Sequence, residues 1–227
     1  MSLPTLLFDL DGTLTDPAPG FLASLHYALE ELDLEISPEQ ELLRFIGPPL
    51  RETMGTLLQT EDRELIEKAV ELYRLRLDNG GKFEAEVFQG IREVLEHFAE
   101  KGHALYVCTG KPEGVATEIV EHFELAPFFR KVYGAKLDGR HCNKADLIRH
   151  IWKTEKIDSP AGIMAGDTVF DMAGAKATGL RSVAVSWGFG CNDELKNTGP
   201  DAFVHHPDEL IPALERIIGD QMPATFS

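Results

Sequence analysis

The sequence predicts an α/β protein: a Rossmann-like parallel sheet with an all-helical insert after its first strand. Short apolar runs alternate with amphipathic helical patterns over most of the 227 residues, as in parallel sheets with helices on both faces. From about Pro17 to Phe88 the alternation gives way to helical periodicity alone. Thr5-Leu6-Leu7-Phe8, short and apolar like a buried strand, runs directly into Asp9-Leu10-Asp11-Gly12-Thr13. Two carboxylates therefore stand at a strand end, where open α/β sheets bind their ligands.

Taken in order, Leu6–Phe8 opens the sheet. In the insert, Leu22, Leu25, Leu29 and Leu32 mark one amphipathic helix. Ser37-Pro38-Glu39-Gln40 reads as a capping box with proline at the first helical position of a second. Leu50, Met54 and Leu57 mark a third. Leu65, Ala69, Leu72 and Arg76 lie along a fourth, which Asp78-Asn79-Gly80-Gly81 ends. Pro17-Ala18-Pro19-Gly20 and Asn79-Gly80-Gly81 are the candidate hinges. The insert is thus bounded at 17–88 and the α/β core at 1–16 with 89–227.

Beyond the insert, Ile91, Val94, Leu95 and Phe98 share one helix face, as do Leu147, Ile148, Ile151 and Trp152. The remaining strands are Ala104–Cys108, Gly162–Ala165, Ser182–Ser186 and Ala202–Val204, with Lys131–Tyr133 the weakest. Ala173, Gly174, Ala175 and Ala177 are small enough to let a helix pack closely on the sheet. The tail after Gly219 reads as loose.

Composition narrows the function. A hydrophobic fraction of 43% with 26% charged residues fits a globular chain able to bury a full core. A net charge of −16 disfavours nucleic-acid polymers and anionic membranes, which require basic surfaces. It permits a small phosphorylated substrate if a metal and a few lysines reverse the field locally. Glu30-Glu31 and Glu61-Asp62 read as solvated helix faces. No apolar run reaches 18 residues, and Met1–Phe8 lacks the features of a signal peptide. Cys108, Cys142 and Cys191 are odd in number and widely spaced, which suggests a reducing, cytoplasmic compartment, with Cys108 in the core.

The chemistry-bearing segments are Asp9-Leu10-Asp11-Gly12-Thr13, Thr109-Gly110, Lys144 and Gly166-Asp167-Thr168-Val169-Phe170-Asp171. Gly12-Thr13 offers loop amides that can face an anion, and Thr109-Gly110 lies between a strand and a helix start, an anion seat. Two carboxylates ~4 Å apart repel by roughly 4 kcal/mol at an effective dielectric near 20, so several together call for a cation. Oxygen donors without a neighbouring His or Cys favour Mg²⁺ over zinc. Asp167 and Asp171 could alternatively cap the following helix. His205 and His206 have no acidic or cysteine partner at ligand spacing and read as a surface loop.

In that order the four segments resemble the signature motifs of the haloacid dehalogenase superfamily of aspartate-nucleophile phosphotransferases. The resemblance implies Asp9 as nucleophile, forming an aspartyl-phosphate, and Asp11 as the group that protonates the leaving alkoxide and later activates water. It implies Gly12, Thr109, Gly110 and Lys144 around the phosphate, with Lys111 as a rival for the motif lysine. The Mg²⁺ ligands it implies are the Asp9 side chain, the Asp11 backbone carbonyl and the Asp167 side chain, with Asp171 a ligand or a partner behind the ligands. The superfamily often has Ser or Asn where this chain has Gly110.

The insert looks like the helical cap domain of one branch. Gly47-Pro48-Pro49-Leu50-Arg51 looks like a substrate-facing cap loop, which makes Arg51 a candidate for the leaving group. Tyr133 to Lys144 is similar to the branch labelled 5′-nucleotidase or phosphoglycolate phosphatase. The implied function is a Mg²⁺-dependent phosphomonoester hydrolase, monomeric or homodimeric. A nucleoside 5′-monophosphate is favoured slightly over 2-phosphoglycolate as substrate. A phosphomutase or a non-catalytic binding protein on the same fold is the alternative.

Overall fold

The computed structural model describes residues 3–34, 38–136, 140–157 and 161–221. Its strands are β1 (Thr5–Phe8), β2 (Thr15–Asp16), β3 (Glu86–Val87), β4 (Leu105–Pro112), β5 (Lys131–Ala135), β6 (Gly162–Gly166), β7 (Arg181–Val185) and β8 (Ala202–Val204). Its α-helices are α1 (Ala18–Glu30), α2 (Glu39–Leu42), α3 (Leu50–Leu57), α4 (Arg63–Asp78), α5 (Ile91–Glu100), α6 (Glu113–His122), α7 (Lys144–Glu155), α8 (Val169–Thr178), α9 (Asn192–Asn197) and α10 (Leu210–Gln221). The chain divides into two compact units, Met1–Leu14 with Val87–Ser227, and Thr15–Glu86. Expectations that fell on Ser37 and on Leu137-Asp138-Gly139 lie outside the described residues.

The α/β unit is built on a six-stranded sheet of order β5-β4-β1-β6-β7-β8, and each neighbouring pair is parallel. Every strand that the apolar runs indicated is present. Burial on both faces explains their near-continuous hydrophobicity. Along β1, Leu6 and Phe8 enter one cluster with Ile91, Val94, Leu95 and Phe98 of α5. Leu7 enters the other, with Leu147, Ile148 and Ile151 of α7. Cys108 lies in this second cluster, where burial pushes its thiol up to about 12. Because β4 and β6 flank β1 on opposite sides, the chain reverses its winding direction at β1. That switch point opens a crevice beyond the carboxyl ends of the strands.

In the helical unit, α1 and α4 pack together, with Phe21 edge-on to Tyr73 at 5.9 Å between ring centroids. The buried face of α4 is Ala69, Val70, Tyr73 and Leu77, rotated from the predicted Leu65-Ala69-Leu72-Arg76 stripe. Pro38 stands just before α2 in extended conformation, not inside the helix. Asp62 is more than a solvated acid, since its Oδ1 accepts the Glu64 amide at 2.9 Å and caps α4. Ala18-Pro19-Gly20 forms the first turn of α1. A Cβ on Gly20 would lie 1.9 Å from the Gly81 carbonyl oxygen, so glycine is what allows that approach.

Two further expectations change. Helix α10 runs through Asp220 to Gln221, so the tail after Gly219 is helical that far, and 222–227 lie outside the described residues. On α8, Ala173 and Ala177 are exposed, and Gly174 faces the stem of Lys144 on α7, not the sheet. Among the described residues no helix is long and apolar enough to cross a membrane.

Phe98 is fully buried where α5 meets the sheet. Phe98→Ala should lower unfolding stability by about 3–5 kcal/mol in urea denaturation. A loss below ~1 kcal/mol would show that this cluster is not the core of the unit.

Candidate active site

The crevice at the switch point is built by backbone geometry first. Asp9 continues the β1 ladder by donating its amide to Ala165 O at 3.0 Å. The chain then turns, with Thr13 and Leu14 amides returning to Leu10 O at 3.2 and 2.9 Å. Leu10 and Leu14 are fully buried in the core. Anchoring Leu10 inward is what leaves its neighbours, Asp9 and Asp11, at the crevice.

Lys144, the first residue of α7, joins the end of β1 to β4 and α8. Asn143 caps the helix by accepting the Ala145 and Asp146 amides at 2.9 and 3.3 Å. The Lys144 ammonium is buried 3.2 Å from Asp9 Oδ1 and 2.6 Å from Asp171 Oδ1, and it donates to Cys108 O at 2.8 Å. Burial alone would lower its proton affinity, but the Asp171 and Asp9 carboxylates more than offset this and hold it above the ordinary lysine range. The absent side chain of Gly174 makes room, since a Cβ there would meet the lysine stem at 2.7 Å.

Asp167 is enclosed from four sides. Its Oδ1 accepts the Thr13 hydroxyl at 3.2 Å and its Oδ2 the Phe189 amide at 2.9 Å. A Cβ on Gly12 would lie 2.2 Å from Asp167 Oδ2, and one on Gly188 2.3 Å from the same atom. Gly12 also holds a positive φ of 79°, which disfavours a side chain independently. Trp187 steadies the second loop by donating its indole N–H to Thr13 O at 3.2 Å. On α8, Asp171 Oδ2 accepts both the amide and the hydroxyl of Thr168, at 3.1 and 2.7 Å. The helix-capping reading therefore holds for Asp171, together with its ion pair to Lys144.

Asp9, Asp167 and Asp171 each present an oxygen within 4.8 Å of the others, a buried acidic cluster that could hold a metal ion. Burial pushes Asp9 up to about 6, despite Lys144 acting the other way. Burial, with the Asp171 and Asp9 charges added, pushes Asp167 up to about 8. Opposite them, Thr109 is buried at β4, and its hydroxyl accepts the Lys111 amide at 3.2 Å. Strand β4 runs on through Gly110 and Lys111 to Pro112, which precedes α6 instead of opening it. Gly110 faces open space, and a Cβ there would have nothing within 4 Å, so a Ser or Asn would be accommodated.

A family model for haloacid dehalogenase-like hydrolases matches residues 6–185. The chain belongs to that family. This haloacid dehalogenase-like hydrolase is 41% identical to the 5′-nucleotidase of Pseudomonas aeruginosa over 199 residues, 87% of this chain and 89% of that protein. It is 34% identical to the tyrosine-protein kinase PtkA of Mycobacterium tuberculosis, over 92% of this chain and 72% of that one. It is 30% identical to the phosphoglycolate phosphatase of Caulobacter vibrioides, over 88% and 86%. The crystal structure of a predicted phosphatase from Clostridium acetobutylicum matches with a TM-score of 0.88 at 36% identity, over 95% of this chain and 100% of that one. The chain is a phosphatase of the family.

For this hydrolase, Asp9, Asp11, Gly12, Thr109, Gly110, Lys144, Asp167 and Asp171 all lie in the α/β unit. Arg51 lies in the helical unit on α3, where its guanidinium pairs with Glu67 through two contacts, one of 3.0 Å. Sequence reasoning gave no role to the hydroxyls of Thr13 and Thr168 and passed over the Trp187–Gly190 loop. The two glycines just beyond β7 were the available signal. A Cβ on Gly190 would lie 1.9 Å from Asp167 O.

Three clustered carboxylates, two of them paired with one buried ammonium, are all oxygen donors and suit a hard divalent cation. Asp9 and Asp167 have ordinary values near 3.8. Between about pH 4 and pH 8 these two acids thus bind more protons in the folded, metal-free protein than in the unfolded chain, and their contribution to stability falls as pH rises. Melting in EDTA should show a lower Tm at about pH 8 than at about pH 5, with Mg²⁺ raising Tm most at the higher pH. Equal values in EDTA would mean that the acids are not desolvated as the geometry requires.

Proposed function

We propose that the protein is a Mg²⁺-dependent phosphomonoester hydrolase that works through an aspartyl-phosphate on Asp9. The supporting observation is the pairing of Asp9 with Lys144 beside Asp167. Both the Leu10 amide, at 2.8 Å, and the Lys144 ammonium, at 3.2 Å, contact Asp9 Oδ1. Oδ2 is the oxygen left to attack phosphorus. Lys144 holds the nucleophile in one orientation, and the buried setting strips it of water that would blunt it.

Asp9 and Asp167, with the Asp11 backbone carbonyl, would hold Mg²⁺, which would supply positive charge to the phosphoryl oxygens. Asp171, with both oxygens engaged by Lys144 and Thr168, serves as a partner behind these ligands. Thr109 and the amides of Gly12 and Gly110 would receive the remaining phosphoryl oxygens. Asp11 would give its proton to the leaving oxygen and then take one from the attacking water. Arg51 is left out of this assignment, because its guanidinium is engaged with Glu67.

The substrate we favour is a nucleoside 5′-monophosphate, supported by the 41% identity to a protein named 5′-nucleotidase. A second reading is 2-phosphoglycolate, supported by the relative named for that activity.

The test is phosphate release from nucleoside 5′-monophosphates and 2-phosphoglycolate, with Mg²⁺ or EDTA. Activity should require the metal and vanish in Asp9→Asn. Asp11→Asn should slow turnover by about 10²- to 10⁴-fold. Full activity in Asp9→Asn would refute the mechanism, and the better substrate would decide between the two readings.

A further inference from the structure

We propose that Lys111 is a positioning residue for Asp11: it grips one carboxylate oxygen and thereby fixes the other as the atom that exchanges protons in both half-reactions. The inference rests on the phosphatase mechanism above and adds a residue and a specific oxygen to it. The Lys111 ammonium lies 2.6 Å from Asp11 Oδ2, and both side chains are largely covered. Asp11 Oδ1 is buried and has no hydrogen-bond partner among the described residues. A buried carboxylate oxygen without a donor is costly, so one at a reaction crevice is a functional candidate.

The backbone aims Lys111 at this position. The pairing of β4 with β5 shifts register between Cys108 and Pro112, so the strand bulges at the three residues that include Lys111. The bulge presses against Gly134 of β5, where a Cβ would meet Lys111 O at 2.5 Å and the Glu113 Cα at 2.7 Å. Only glycine permits that path. On the near side, the Lys111 amide donates to the Thr109 hydroxyl. On the far side, Glu113 pairs with Lys136 at 2.6 Å. The chain is therefore tied by a side-chain contact on either side of Lys111.

Two lysines thus divide the acids. Lys144 is committed to Asp9, Asp171 and Cys108 O, and Lys111 serves Asp11. In the first half-reaction, the Asp9 oxygen–phosphorus bond forms as the ester P–O bond breaks, and the proton on Asp11 Oδ1 passes to the departing alkoxide. In the second, water forms its bond to phosphorus as the Asp9–phosphorus bond breaks. Its proton returns to Asp11 Oδ1, and phosphate leaves. Protonated on Oδ1, Asp11 can still accept from Lys111 through Oδ2. A carboxylate free to rotate would lose this alignment at each step.

The experiment compares wild type, Lys111→Met and Lys111→Arg on two ester classes, with Mg²⁺ present. Alkyl esters such as nucleoside 5′-monophosphates need a proton on the leaving oxygen, whereas 4-nitrophenyl phosphate has a stable leaving anion. Lys111→Met should lose about 10²-fold in kcat/KM on the alkyl ester and less than about 3-fold on the aryl ester. Its inhibition by inorganic phosphate should stay unchanged, and acid quench should trap more phosphoenzyme from the aryl ester, whose first step is spared. Lys111→Arg, which keeps a donor to Oδ2, should recover part of the alkyl activity. Equal losses on both esters, or weakened phosphate inhibition in parallel, would make Lys111 a phosphate-binding group and overturn the proposal. Should Lys111→Met fail to fold, the alkyl-to-aryl ratio of Lys111→Arg decides: a changed ratio supports positioning and an unchanged one opposes it. Wild type without Asp9-dependent activity would instead refute the mechanism on which the proposal rests.

Discussion

Lys144 is the buried ammonium on which the catalytic end of the sheet depends. Among the described residues it is the only buried lysine, and its three oxygen partners come from different elements. Asp9 follows β1, Cys108 O belongs to β4, and Asp171 sits in the first turn of α8. An unpaired buried carboxylate would be expelled or protonated. The ammonium therefore fixes where α7 can start and how closely α8 can approach. Gly174 follows from the same constraint, because any side chain there would displace the lysine stem.

The ammonium does not complete the balance. Lys144 reaches Asp9 and Asp171, while among the described residues Asp167 receives only the neutral donors Thr13 and Phe189 N–H. That explains why Asp167 is the acid pushed up furthest, to about 8. The arrangement is more costly than a protein would keep for structure alone, since apolar residues of similar volume commonly serve stability as well as buried ion pairs do. A site left short of positive charge, at a sheet switch point, is organised to gain that charge from a ligand.

The parts of the molecule that were legible in the sequence are those specified by local pattern. The strands read as continuous apolar runs because both faces of the sheet are buried, and the α5 face Ile91-Val94-Leu95-Phe98 is buried as its spacing indicates. The face of α4 was misplaced because leucines occur all round that helix, so spacing alone admits two stripes. At the site, Asp9, Asp11 and Asp167 stood out because charged residues beside apolar strands need a reason, and Lys144 through the motif resemblance. The Trp187–Gly190 loop did not stand out, because its role is steric. Gly188 and Gly190 matter through a close approach to Asp167, more than 20 residues away in the chain, and for Gly188 to the Gly12 carbonyl as well.

Lys111 shows where a sequence reading goes wrong in a more instructive way. Sequence treats Lys111 and Lys144 as rivals for one position, because a motif has room for one lysine. Space has room for both, since two acids separated by one residue on β1's end present to different walls of the crevice. Asp9 turns toward α7 and meets Lys144, and Asp11 turns toward the bulged end of β4 and meets Lys111. The intervening Leu10, buried in the core, is what separates them. A nucleophile must stay bare, and an acid–base group must carry and release a proton. Two carboxylates with separate cations can meet those demands at one strand end, whereas a shared cation would tie their charge states together.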